Sequence, residues 1–164
     1  MTDTKTAPKT PKAGANADVA SGVAQFLTPV VQELVALAVN GKQAHWHVRG
    51  ANFVGVHELL DTIVAHAGDF ADTAAERIVA LGLPIDARLS AVAEKAGATA
   101  VPAGFAQSDD VIRAVISDID AILADTQAAI DGLDEIDLTS QDVAIEIKRG
   151  LDKDRWFLVS HIAA

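Results

Sequence analysis

Apolar residues recur every three or four positions through four long stretches of this chain. Only helices packed on one another can bury that period. The clearest stretch follows Ser108 and places Val111, Ile112, Val115, Ile116, Ile119, Ile122, Leu123, Thr126, Ala129, Ile130 and Leu133 on one stripe. An earlier stretch carries Val30, Val31, Leu34, Leu37 and Ala38. Thr28 is placed to cap it with Pro29 in its first turn, residues 18–27 can form a helical lead-in, and the helix runs to about Val48. After a turn at Arg49–Asn52, a second helix extends from about Phe53 to Leu81, with Asn52 as its cap and Gly82 and Pro84 as its stop. A last helix starts near Thr139 or Ser140 and runs to about Ile162 through Val143, Ile147, Leu151, Phe157 and Leu158.

Residues 84–107 are too long for a structureless link in a compact domain, and Ser90–Lys95 reads as a short helix within them. The fold expected is therefore all-α. It is a four-helix bundle with a short crossover helix between the second and third helices, which is the ferritin-like topology. Residues 1–17 hold Pro8, Pro11 and three lysines and read as a flexible tail, leaving 18–164 as the bundle domain. No uninterrupted apolar run approaches the roughly 20 residues of a membrane span, and MTDTKTAPKTPKAGANA offers no secretory signal. There is no cysteine, which excludes disulfides and thiolate metal sites and fits a cytoplasmic protein. The formal net charge of −10 disfavours nucleic acid and favours metal cations as partners.

Ligand-type residues concentrate on the second helix. His57 and Asp61 are four apart, as are Asp72 and Glu76. At about 100° per residue all four fall on one stripe. An ordinary solvated face would mix in lysine, and this helix has none. One helix cannot gather all four on one ion. Asp61 and Asp72 lie about 16 Å apart along the axis, and His57 and Glu76 about 28 Å, whereas a metal–ligand bond is about 2 Å. Both pairs are, however, symmetric about one midpoint, between residues 66 and 67. Two copies laid antiparallel about a two-fold axis there bring His57 and Asp61 of one chain against Asp72 and Glu76 of the partner subunit. That contact yields two identical sites. His45 and His47 flank Trp46 and point about 200° apart on a helix, so only one of them can join a given site. A mixed imidazole and carboxylate shell suits Fe(II), with Zn or Mn as substitutes, better than Ca or Mg.

Competing motifs are incomplete. His57-Glu58-Leu59-Leu60-Asp61 has Asp where HExxH has its second His, and no Glu-x-x-His pair exists for a di-iron centre inside the bundle. Neither GxSxG, a Walker loop nor GxGxxG is present, and Ser160 and His161 lack a triad partner.

Residues 42–82, KQAHWHVRGANFVGVHELLDTIVAHAGDFADTAAERIVALG, carry H-W-x-x-x-G-x-x-F-x-x-x-H-x-x-x-D followed by D-x-x-x-E-R. This segment closely resembles the signature of the Dps family, the mini-ferritins named for DNA protection in starved bacteria. Leu151-Asp152-Lys153 and Trp156-Phe157 extend the resemblance toward the C-terminus. The resemblance implies a hollow homo-dodecamer that protects DNA from oxidative stress. It implies a ferroxidase that oxidises Fe(II), preferably with hydrogen peroxide, and an iron-storage cavity for ferric oxide. Carried over by position, it implies His45, His57 and Asp61 as iron ligands from one chain, with Asp72 and Glu76 from its mate. It also implies Trp46 beside the site as an electron donor, and Arg77 as a residue orienting Glu76. His47 stands where the family often has Asn. DNA-binding members often use lysine-rich tails; with only Lys5, Lys9 and Lys12, binding here is expected to be weak and salt-sensitive, or absent. Asp118, Asp120, Asp125, Asp131 and Asp134 are candidates for drawing cations toward pores. Two alternatives stand beside this reading. One is a metal-assisted amide hydrolase with Zn at the same residues and Glu58 as base; the other is chiefly a nucleoid protein.

Overall fold

A computed structural model describes residues 16–163. It contains α1 (Ala17–His47), β1 (Val48–Arg49), α2 (Phe53–Ala80), α3 (Leu89–Ala96), β2 (Ala106–Gln107), α4 (Ser108–Leu133) and α5 (Leu138–Ile162). The four long helices form a ring in which α1 packs on α2 and α4, and α5 packs on α2 and α4. Short turns join α1 to α2 and α4 to α5. The long crossover carries α3 over α1 and starts α4 beside the end of α1, where β1 and β2 pair in parallel. The expected ferritin-like bundle with one short crossover helix is the architecture observed.

The apolar periods explain the core. Leu27, Leu34 and Leu37 of α1 meet Leu60, Ile63 and Ile78 of α2, Ile112, Ile119 and Leu133 of α4, and Ile147, Leu151 and Leu158 of α5 in one buried cluster. Each such side chain contributes roughly 1.5–3 kcal/mol by leaving water. Val54 of α2 is exposed.

Several local expectations are corrected. α1 begins at Ala17, with the Asn16 side chain accepting from the Asp18 N–H, and Pro29 lies inside the helix. The added turns bury Ala20, Val23 and Leu27, and that burial outweighs the hydrogen bond lost at Pro29. α1 is also long and apolar enough to cross a membrane by length and composition, with mean hydropathy 1.5 over its best window. Interspersed Gln and Asn hide this from a search for unbroken apolar runs, and its buried apolar residues join the common core of the bundle. Asn52 starts α2 through a left-handed backbone, φ 55°, and not through a side-chain cap. Ser108 is the first residue of α4 and not its cap. The stop of α2 is as read: Gly82 at φ +95° lets its N–H reach the Val79 carbonyl and the Leu83 N–H reach that of Ile78. Residues 1–15 of the expected tail, with its three lysines, lie outside the described residues, while Asn16 and Ala17 belong to the start of α1.

The α5 start is tied to α2. Asp137 caps α5 by accepting from Ser140, and Arg77 Nη2 of α2 donates to the same carboxylate at 2.6 Å. Burial pushes the Asp137 carboxyl up, but the Ser140 and Arg77 hydrogen bonds outweigh it and hold it below the ordinary range. Stability from a depressed carboxyl is present above its unfolded value and lost as pH falls through its folded value. Asp137→Ala should therefore cost about 1–2 kcal/mol at neutral pH. The gap between variant and wild type in urea titrations should close in acid.

Gly150 of α5 sits beneath the Phe70 ring of α2, and a Cβ there would land on the ring; at Gly55 the nearest side-chain atom is 3.6 Å away. Gly150→Ala is expected to lose about 1–2 kcal/mol, because overpacking exceeds the gain in helix propensity. Gly55→Ala is expected to be neutral or stabilising. Thermal unfolding of the two variants checks the contrast.

Candidate metal centre

The turn after α1 folds α2 back along it and brings His45 against His57. Gly50 makes this turn possible at φ +101°, where a side chain would also strike Gln107. The two imidazoles stack with centroids 3.6 Å apart and planes 21° from parallel. His45 Nδ1 lies 2.8 Å from the His57 carbonyl, and His57 Nδ1 lies 2.9 Å from the His45 carbonyl. A carbonyl can only accept, so each Nδ1 carries the hydrogen. In the neutral ring this tautomer leaves the lone pair on Nε2, the form that binds a metal. The His45 carbonyl is among the last of α1, which have no partner within the helix, so the His57 bond also finishes that helix.

Asp61 lies one turn beyond His57, with an oxygen 3.9 Å from His45 Nδ1. Its carboxylate pairs with the Lys42 ammonium from α1. The Lys42 hydrogen bond is the largest influence on Asp61; with the Lys42 charge it outweighs desolvation and lowers the carboxyl below its ordinary value. Sequence reasoning did not single out Lys42. The signal was available: it is three residues before His45 and so shares its face of α1.

The structure thus gathers His45, His57 and Asp61. It does not bring Asp72 or Glu76 to them. Both lie further along α2, exposed, with no ion pair among the described residues. Among the described residues no three His, Asp or Glu side chains close on a single point well enough to hold an ion. His47 turns the other way, its Nδ1 donating to the Gln43 carbonyl and its ring 5.4 Å from that of Phe105. Trp46 is 64% exposed, next to His45 in the chain. Glu58 lies exposed, about 100° round α2 from His57.

Other expectations are revised. Arg77 does not reach for Glu76; it bonds Ser140 and Asp137. The acidic residues suggested for cation attraction all have protein partners: Asp118 with Thr99, Asp120 with Arg155, Asp125 with Lys95, Asp131 with Gln127 and Asp134 with Gln141. Ser160 donates to the Trp156 carbonyl. Sequence reasoning also passed over His66 of α2, whose Nδ1 lies 3.0 Å from both oxygens of the buried Asp154 of α5.

The model of the ferritin-like domain matches residues 25–164. The chain is 36% identical over 143 residues to the DNA protection during starvation protein of Agrobacterium fabrum, covering 87% of this chain and 88% of the relative. Among solved structures, Dps from Microbacterium arborescens in the high iron form superposes with a TM-score of 0.90 at 72% identity, covering 92% of this chain and 98% of that one. Mycobacterium smegmatis Dps superposes with a TM-score of 0.86 at 30% identity, covering 97% and 95%.

Because the Lys42 ammonium competes with any cation for Asp61, Lys42→Met should tighten Co(II) binding several-fold. Asp61→Asn should weaken it at least about tenfold. Calorimetric titration of the two variants measures both effects. Unchanged affinity in Lys42→Met would mean that the ion pair does not guard the site.

Proposed function

Since the chain belongs to the Dps family of ferritin-like DNA-protection proteins, whose general activity is iron oxidation, we propose that it oxidises Fe(II) at centres shared between two antiparallel copies. The ferric product is stored inside a dodecameric cage. The observation that carries this reading is the division of α2 into two half-sets of ligands. His57 and Asp61, joined by His45, stand at one end of an exposed stripe, and Asp72 and Glu76 stand at the other. Neither half can hold an ion tightly alone. A two-fold axis between residues 66 and 67 completes both halves at once. Exposed Ala65 and Gly68 occupy the middle of the stripe, where their small size favours close approach of two helices, and a Cβ on Gly68 meets nothing in its own chain.

The chemistry follows from the donors. The two Nε2 atoms are presented ready to bind, because the reciprocal carbonyl contacts hold each hydrogen on Nδ1. Fe(II) arriving at Asp61 displaces the Lys42 ammonium, and carboxylates from both chains favour the ferric product, since hard anionic oxygens hold Fe(III) better than Fe(II). With hydrogen peroxide as preferred oxidant, two Fe(II) ions each give up one electron, two protons are consumed, and the O–O bond breaks to give two waters. A pairwise reaction releases no hydroxyl radical. Trp46, exposed, oxidisable and next to His45 in the chain, supplies an electron when only one iron is bound.

Protection of DNA requires this reaction in the compartment that holds DNA, so the proposal places it in the cytoplasm. With a formal charge of −10 per chain, contact with DNA itself is weak and depends on Lys5, Lys9 and Lys12. Raising the salt concentration removes it.

A mixing experiment tests the shared site. Asp61→Ala and Asp72→Ala chains, each alone, should lose most Fe(II) oxidation above the buffer rate. Unfolded and reassembled together, half of the dimers combine one chain of each kind, and each such dimer regains one intact site. About a quarter of wild-type activity should return. If mixing restores nothing, each centre belongs to a single chain and the proposal fails.

A further inference from the structure

The stripe on α2 that carries the ligands does not end with them. Val54 and Val79 are 60% and 56% exposed, and with Phe53 they are the large apolar side chains that α2 leaves in water. At about 100° per residue they lie within about 20° of each other, on the same stripe as His57, Asp61, Asp72 and Glu76. Val54 also lies as far from the midpoint between residues 66 and 67 on one side as Val79 does on the other. Scattered exposed valines are ordinary. These two share both the stripe and the midpoint of the ligands. Inward from one end the stripe reads Val54, His57, Asp61 and Ala65; inward from the other it reads Val79, Glu76, Asp72 and Gly68. Each half is an apolar residue, two ligand-type residues and a small one.

Charge does not hold two such stripes together. Glu58, Asp61, Asp72 and Glu76 are all exposed. Laid antiparallel, each end gathers Glu58 and Asp61 of one chain with Asp72 and Glu76 of the partner subunit. Lys42, paired with Asp61, brings one ammonium to four carboxylates. A bound cation relieves that excess; without one the carboxylates repel. Ala65 and Gly68 permit close approach at the axis but offer little apolar area. The apolar area lies at the ends, where this pairing sets Val54 against Val79 of the partner subunit. Phe53, its ring centroid 5.2 Å from that of His57, adds apolar surface at the same end.

We propose that Val54 packs on Val79 of the partner subunit, closing the outer end of each shared centre with an apolar contact that fixes the register of the two copies and holds them together when no metal is bound. The contact rests on the antiparallel pairing proposed above. Its driving force is the removal of both side chains from water, which does not depend on the charge of the centre.

The chain has no cysteine, so cross-linking can report the contact directly. Within one chain, residues 54 and 79 lie about 37 Å apart along α2. A disulfide needs Cβ atoms about 4 Å apart, so none can form inside a chain. Whole, metal-stripped Val54→Cys/Val79→Cys protein is oxidised with glutathione disulfide and run on a denaturing gel without reductant. The expected product is a covalent dimer and nothing larger, because a two-fold contact links each chain twice to the same mate. Neither single variant should cross-link. A ladder of trimers and longer products means a head-to-tail contact and overturns the proposal, as does a disulfide dimer from either single variant. Ala65→Cys protein treated with a short bis-maleimide reports the two-fold axis separately. Dimers there without dimers through 54 and 79 keep the axis and overturn the valine contact; dimers at neither position overturn both. In sedimentation of the metal-free protein, Val54→Ser and Val79→Ser should each raise the concentration needed for assembly at least about tenfold. An unchanged value also overturns the proposal.

Discussion

Two imidazole–carbonyl contacts, His45 to His57 and His57 to His45, join the end of α1 to the start of α2. They do three things at once. One covers a carbonyl that the end of a helix leaves unpaired. Together they hold the stacked rings in register, and they keep both hydrogens on Nδ1 so that both Nε2 atoms remain available. The backbone of the hairpin thereby orients the ligands, a task that metal centres often give to neighbouring carboxylates or carbonyls. The turn between the helices, with Gly50 and Asn52 in positive φ, brings the two rings into reach.

Polar contacts elsewhere bind the ring of helices along its seams. Arg77 and Asp137 connect α2 to α5, His66 and Asp154 do the same nearer its other end, Arg155 and Asp120 join α5 to α4, and Lys95 ties α3 to α1 and α4. An exposed pair such as Arg155 with Asp120 adds little stability by itself. Asp154 differs because it is buried and meets His66 through both oxygens. Removing His66 would leave an unpaired buried carboxylate, the costly half of such an interaction. These contacts also account for Asp120 and Asp125, two of the five acids that a reading of charge alone would assign to metal attraction. A carboxylate already facing arginine or lysine presents little free charge to an ion.

The bundle was legible because its cause is periodic. A stripe such as Val111 to Leu133 has one way to be buried, and the stop at Gly82 and Pro84 is local chemistry. Errors arose where tertiary burial overrode a local rule. Pro29 reads as a helix start, yet packing of Ala20, Val23 and Leu27 carries α1 through it. Asn52 and Ser108 are good capping residues, but a left-handed turn and burial, respectively, decided their roles. The two-residue pairing of β1 with β2 has no periodic signal at all.

The candidate site divides along the same line. Spacing alone put His57, Asp61, Asp72 and Glu76 on one stripe and excluded a single-helix site, because helical rise and rotation are properties of the backbone. Which of His45 and His47 faces that stripe, that Lys42 closes on Asp61, and that Arg77 turns to α5 were decided only by packing. Each depends on the angle at which one helix meets another, and that angle comes from side chains distant in the chain. The burial of Glu33 belongs to the same class: Lys95 of α3 bridges it to Asp125 of α4, and no pattern along the chain announces their meeting.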